Sequence, residues 1–174
     1  MDAIKCIYSR VSTRDFNTRE VSDEDVNDIV RAAMAAPVGM GRYALKRITV
    51  MKNEEFLEKV TAACPQDPAR RSSPFYGAKT VIIVSAETKE TPDIEYADAA
   101  CMVYAMALAA RAKGIASVYL WGFLPAVRAD KELLSALRLP EGYTPLSALA
   151  VGYTDEPLKE FDRPRHEIAV DTID

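Results

Sequence analysis

Ile7-Tyr8-Ser9-Arg10-Val11-Ser12-Thr13-Arg14-Asp15-Phe16 is the stretch on which the reading of this chain turns. It sets two guanidiniums around one hydroxyl. In an extended segment Arg10, Ser12 and Arg14 point to one side; on a helix Arg10 and Arg14 share a face as an i, i+4 pair. In either form they can converge on a phosphate, which a guanidinium binds through paired N–H donors. Near the other end, Arg163-Pro164-Arg165 is a second arginine pair, with proline stiffening the backbone between. Solvated surface charge is the alternative reading of both pairs.

The stretch sits in an acidic chain. Of 174 residues, 22 are Lys or Arg and 26 are Asp or Glu, a formal net charge of −4 with a pI near 5.2. That balance argues against a broad footprint for nucleic acid or for an anionic membrane surface. Hydrophobic residues make up 49%, the share of an ordinary globular domain. The chain has one histidine, His166. Multi-histidine zinc sites, HExxH hydrolases and C2H2 fingers have no basis here, and no metal site is expected. A Ser-His-Asp mechanism would rest entirely on His166, which reads with Glu167 as a solvated loop. Cys6, Cys64 and Cys101 lie far apart without a CxxC pair, which removes iron–sulfur and structural-zinc spacings. Reduced, buried thiols in a cytoplasmic protein are the expectation. The N-terminus lacks the apolar core of a secretory signal, and the longest apolar run, 99–110, falls short of the ~20 residues of a membrane-spanning helix.

No repeat or Gly/Ser-rich linker divides the chain. Ser22 caps a helix with Asp23, Glu24 and Asp25 in its first turn; Val26, Ile29, Val30 and Ala33 form its apolar face and Pro37 stops the run. Residues 47–51 read as a strand, followed by an Asn53-capped helix to Val60 and a polar loop from Pro65 to about Pro74. The β-branched run 80–85 has the pattern of a strand buried on both faces. A long helix is expected from about Pro92 to Lys113, ending at Gly114. Over 99–110 it is apolar all round, as in a large core or a subunit interface. Strands at 116–120 and 146–153 enclose a short helix near 131–137. The polar tail after Gly152 ends in Ile168-Ala169-Val170, an arm expected to pair elsewhere. Together these make an α+β layered domain of four or five strands.

Other motifs carry competing readings. Gly39-Met40-Gly41-Arg42-Tyr43-Ala44 matches the GxGxxA spacing of a dinucleotide fingerprint, but a helix precedes it and a strand follows, the reverse of what that motif needs. Two glycines in one turn still permit positive φ and close approach of backbone to a ligand; a plain tight turn is the alternative. Asp93, Glu95 and Asp98 read as favourable charges at the positive end of a helix rather than as an acid–base pair. Trp121-Gly122 after a strand is either a pocket wall or an ordinary buried aromatic.

In their order along nearly the whole chain, these pieces resemble the FMN-dependent nitroreductase family. The 7–16 stretch is similar to the family's opening R-x-S-x-R segment with its following aromatic. Then come the helix ending Ala32-Ala33-Met34-Ala35-Ala36-Pro37, the Ile48-Thr49-Val50 strand, and the long helix ending Ala109-Ala110-Arg111-Ala112-Lys113-Gly114-Ile115. Leu139-Pro140-Glu141-Gly142-Tyr143, the strand ending Val151-Gly152-Tyr153, and Arg163-Pro164-Arg165 complete the series.

The resemblance implies a short-chain member of that family, with one FMN-binding domain over 1–174 and 154–174 as a C-terminal arm. Its fold would be an α/β/α layered sandwich with a central mixed, mainly antiparallel sheet, paired as a homodimer with FMN at the subunit interface. Arg10, Ser12, Arg14, Arg163 and Arg165 would hold the FMN phosphate. The backbone at Val11 would lie near the phosphate, and Trp121-Gly122 near the isoalloxazine. Pro37, Val38, Gly39, Met40 and Gly41 would reach the flavin of the partner subunit. Many relatives carry Ser after the proline and then Asn, Gln, Pro and Trp; here Val38, Gly41, Tyr43, Ala44 and Leu45 hold those places. Backbone N–H groups of the glycine loop would have to replace the missing side-chain contacts.

The implied activity is reduction of a nitroaromatic, quinone or similar small acceptor by NAD(P)H through the flavin, with no catalytic side chain named. The same binding residues would serve an enone reductase, a dehalogenase or a flavin-degrading enzyme. They would also serve a non-catalytic FMN-binding or flavin-sensing protein.

Overall fold

In chain order the elements are α1 (Ala3–Ser9), α2 (Asp23–Met34), β1 (Lys46–Met51), α3 (Glu54–Ala63), β2 (Thr80–Glu87), α4 (Ile94–Ala112), β3 (Ala116–Leu120), α5 (Leu124–Ala129), α6 (Lys131–Ala136) and β4 (Tyr143–Gly152). They come from a computed structural model that describes residues 2–65, 73–88 and 93–173. Two 3-10 turns, Gly39–Gly41 and Tyr43–Leu45, fill the span between α2 and β1. Most of the polar loop expected after Pro65, and the Pro92 start expected for α4, lie outside the described residues.

β2 accounts for the layering. Alternate side chains of a strand face opposite ways. Ile82, Val84 and Ala86 pack with α2 and α4, while Val81 and Ile83 pack with α3, α5 and α6 around Phe75 and Phe123. Both faces are covered, which is why this strand reads as an unbroken apolar run. The sheet order is β1-β2-β4-β3, with every neighbouring pair antiparallel. A single isolated parallel bridge, from Ser12 to Ser117 on β3, is the mixed component of the expected sheet. The fold is α+β, with helices on both faces of the sheet.

Several expectations need correction. β4 begins at Tyr143, three residues before the expected start, because it absorbs Pro145 at a bulge. Val84 pairs with Ser147 and Ser85 with Pro145, leaving Leu146 as the extra residue. A proline without an N–H is tolerated at such a bulge, and the bulge turns Leu146 toward α2 and α4. Helices α1 and α5, of 7 and 6 residues, were not anticipated because they are too short to show a period. Asp2 caps the first, accepting the Lys5 N–H at 3.0 Å. Only Cys6 is a buried thiol; Cys64 is half-buried, and Cys101 is exposed on the outer side of α4 with Tyr104.

The two longer caps are as expected: Ser22 accepts the Asp25 N–H at 3.1 Å and Asn53 the Phe56 N–H at 2.8 Å. Among the described residues after Gly152, 153–173, there is no regular element. The first part of this stretch is tied down by Lys5 to Glu160 at 2.6 Å, by the Phe161 N–H to Ser9 Oγ at 2.9 Å, and by the buried Arg111 guanidinium to the Lys159 carbonyl at 2.9 Å. Beyond it Ile168 and Val170 are 86% exposed, so within the chain the expected arm is unpaired. Among the described residues no helix is long and apolar enough to cross a membrane.

Candidate functional site at the two sheet edges

Arg10 caps the end of α1 in an extended conformation (φ −68°, ψ 120°), which decides between the two forms open to the arginine pair. Ser12 then makes the parallel bridge to Ser117, and the Thr13 N–H donates to the Ser117 carbonyl at 2.9 Å. Alternation therefore sets Arg10, Ser12 and Arg14 on one side of the segment and Val11 and Thr13 on the other. Val11 and Thr13 line a cleft of about 520 Å³ with Leu158, Phe161 and Arg165. The Arg165 guanidinium lies 5.2 Å over the Phe161 ring, and that of Arg14 lies 5.9 Å over Tyr76. Among the described residues Arg10, Arg14, Arg163 and Arg165 form no salt bridge. Among the described residues no carboxylate neutralises their charge, as binding an anion requires.

Phe16 fixes the far end of the segment. Its ring is buried against Gly152, where a Cβ would come within 2.8 Å of Phe16 Cδ1. Its N–H donates to the Tyr76 carbonyl at 3.1 Å, and the Asn17 N–H to that of Tyr153 at 2.8 Å. The aromatic after the arginines is thus a seat, and Gly152 exists to admit it.

The glycine turn lies at the opposite edge, just before β1. Met40 (φ 53°) and Gly41 (φ 65°) both adopt left-handed backbone, and Met40 is 70% exposed at the tip. The Gly39 N–H donates to Asp98 Oδ1 at 2.8 Å, and the Gly41 N–H to the Val38 carbonyl at 3.0 Å. Both glycine donors are engaged inside the protein, so they do not replace the side-chain contacts as expected. Asp98 in turn holds Lys46 Nζ at 2.8 Å through its other oxygen, with both side chains 6% exposed. Asp98 is therefore a buried anchor, more than the favourable helix-dipole charge expected from its place near a helix start. Tyr43 Oη donates to the Ala36 carbonyl at 3.0 Å and closes the loop from outside.

Trp121 follows β3 and is 49% exposed, with Gly122 exposed beside it. From Ser117 to Trp121 along the β3 edge is roughly 13 Å. The arginine segment, Trp121-Gly122 and Arg165 are thus on the β3 side, while Arg163 lies exposed in the tail. Residues 37–41 are on the β1 side. The edges are separated by two strands, roughly 14 Å across. Along β4 the register from Thr144, level with the start of β1, to Val151, level with Ser117, adds roughly 23 Å. One chain does not bring its two groups of expected residues together.

Lys46, Asp98, Ser117 and Gly152 were missed as supports. For Asp98 a signal existed: it stands four residues before Met102 and eight before Met106, both buried, on one helical stripe. A carboxylate on such a stripe needs a partner. Burial pushes the Cys6 and Cys64 thiols above their ordinary value, against thiolate chemistry there. A second depression of about 510 Å³, between Lys52, Leu57, Phe75 and Lys79, contains none of the expected residues.

Comparison with known proteins places the sequence and the fold among characterised families. The family model described as "Nitroreductase family" matches residues 7–153. An Archaeoglobus fulgidus protein whose provisional name pairs NADH dehydrogenase with NAD(P)H nitroreductase is 31% identical over 153 residues, covering 87% of this chain and 85% of its own. The crystal structure of a nitroreductase with bound FMN from Desulfitobacterium hafniense is similar with a TM-score of 0.79 and 28% identity, over 98% of this chain and 100% of that one. One from Bacteroides fragilis, also with bound FMN, gives 0.77 and 27%, over 99% and 100%.

Proposed function

This chain belongs to the nitroreductase family, and from that premise we propose that it is an FMN-dependent oxidoreductase. It takes reducing equivalents from NAD(P)H and passes them to a small acceptor such as a nitroaromatic or a quinone. The observation that carries the reading is the extended Arg10-x-Ser12-x-Arg14 segment, docked on β3 with its guanidiniums free of carboxylate partners among the described residues. Such donors fit a phosphate monoester through charge-assisted hydrogen bonds.

Arg10, Ser12 and Arg14 would hold the FMN phosphate, with Val11 beside it and Arg165 closing the cleft behind. Arg163 would join them from the tail. The Trp121-Gly122 turn, roughly 13 Å further along the same edge, would flank the isoalloxazine ring. Bound FMN would supply hydride acceptance from the nicotinamide and hydride delivery to the acceptor. The chain's own part is to bind, orient and keep water out.

The separation of residues 37–41 from the arginine segment supports a homodimer in which each site takes Pro37, Val38, Gly39, Met40 and Gly41 from the partner subunit. The exposed outer face of α4, with Cys101 and Tyr104, and the exposed Ile168 and Val170 of the arm supply apolar surface for that pairing. One domain over 1–174, with 154–174 as the arm, is the matching organisation.

Engagement of the Gly39 and Gly41 N–H groups favours one rival, an FMN-binding protein that does not turn over. The purified dimer should be yellow, release FMN rather than FAD, and bleach on anaerobic addition of NADH or NADPH. A yellow protein bleached by neither nicotinamide is the binder; a colourless one that FMN does not reconstitute overturns the whole reading.

A further inference from the structure

Asp98 joins three elements: the glycine turn, the first residue of β1 and the second turn of α4. Its two oxygens are divided between the Gly39 N–H and Lys46 Nζ, each at 2.8 Å. A buried ion pair by itself is weak evidence of a stabilising role, because desolvation offsets most of the attraction. A buried carboxylate aimed at one loop N–H does something more specific. It fixes the height and orientation of a turn whose tip residue, Met40, is otherwise exposed and in left-handed backbone.

We propose that Asp98 is a positioning residue for the cofactor site: through its bond to the Gly39 N–H it holds residues 37–41 in the shape that contacts FMN. This rests on the oxidoreductase reading above. Lys46, 2.8 Å from the other oxygen, supplies the counter-charge and holds the carboxylate pointed at the turn. The turn is therefore set before any cofactor arrives, so little ordering is left for binding to accomplish.

Two charge-free pairs separate positioning from mere stability. Asp98→Asn with Lys46→Met keeps an oxygen acceptor for the Gly39 N–H, whereas Asp98→Leu with Lys46→Met removes it while filling similar volume. Replacing a buried ion pair by apolar side chains of matching size is often neutral or stabilising, which offsets the cost of leaving the Gly39 N–H without its acceptor, so the Leu/Met chain is expected to melt close to wild type. FMN affinity, measured by fluorescence quenching on the flavin-stripped full-length protein, should stay within about threefold of wild type for Asn/Met. It should fall roughly tenfold for Leu/Met, the effect of one lost hydrogen bond at the upper end of its usual range.

Equal affinity of the two folded variants overturns the proposal, as does an Asn/Met chain that loses affinity as far as Leu/Met. Should Leu/Met fail to fold, the Asn/Met chain decides alone: retention of affinity supports the anchor, and a tenfold loss overturns it. A wild-type protein that takes up no FMN fails the oxidoreductase reading and this one together. Wild-type uptake with affinity unchanged in Leu/Met fails this one only.

Discussion

At the β3 edge the arginine segment is held by backbone hydrogen bonds, from Thr13 to Ser117 and from Phe16 to Tyr76, and by the Phe16 ring seated on Gly152. At the β1 edge the glycine turn hangs on a buried carboxylate and its counter-charge, Asp98 and Lys46. The first carries its chemistry in side chains that face outward and its support in the backbone. The second has little side-chain chemistry of its own and takes its support from a charge 59 residues further along the chain. Changes at the first should be felt by the ligand, and changes at the second by the fold as well.

Asp98→Ala should separate the two edges most sharply. It leaves Lys46 buried without a counter-charge, an arrangement that costs about 3–5 kcal/mol, read as a lowered denaturant midpoint in the cofactor-free protein. A loss below about 1 kcal/mol would put this pair with ordinary surface bridges. Arg14→Ala tests the other edge: FMN binding should weaken by about 1.5–3 kcal/mol, the worth of a charged hydrogen bond. Stability should move by no more than about 0.5 kcal/mol, because the side chain is exposed. Unchanged FMN affinity would return Arg14 to ordinary surface charge.

Thr13→Pro removes the N–H that docks the segment. The expected effect is about 1 kcal/mol, seen as weaker FMN binding and faster hydrogen exchange in the residues around it, with the glycine turn unaffected. The smallest effect belongs to an exposed counterpart of the Lys46–Asp98 pair. Lys113 Nζ lies 3.0 Å from Asp25 and 2.7 Å from Asp28, tying the start of α2 to the end of α4. Hydrogen bonds from Lys113 and then Ser22 hold the Asp25 carboxyl below its ordinary value, while Asp28 and then Asp25 raise Lys113 above its own. Stability from Asp25 is therefore complete above about pH 4 and lost as pH falls through the lower folded value. That from Lys113 is complete below its ordinary value of 10.5 and lost only as pH rises through the raised one. The difference in melting temperature between wild type and Lys113→Met should be present at neutral pH, fade in acid and shrink in high salt.

The contrast also explains what could be read from the residues alone. The β2 run, the Ser22 and Asn53 caps and the apolar 99–110 run of α4 are local patterns, and each appears where it was expected. Arg10, Ser12 and Arg14 were legible for the same reason: their spacing is their geometry once the segment is extended. Asp98 was not, because a carboxylate near a helix start has a sufficient local explanation, and its true partners come from the turn and strand before it. The start of β4 was missed because Pro145 argues against a central strand unless the bulge at Leu146 is known. Glycine spacing at 39 and 41 signalled an unusual turn, but not that its donors face inward.

Phe16 has one more consequence. The segment is fastened at Ser12 by its bridge and at Phe16 by its ring, with Arg14 midway between. A strand turns every side chain over when its register slips by one. Adding or deleting a single residue between these two fasteners would aim Arg14 into the cleft or unseat the ring. Substitutions along this stretch leave the fasteners in place, but its length is not free to drift in descendants of the chain.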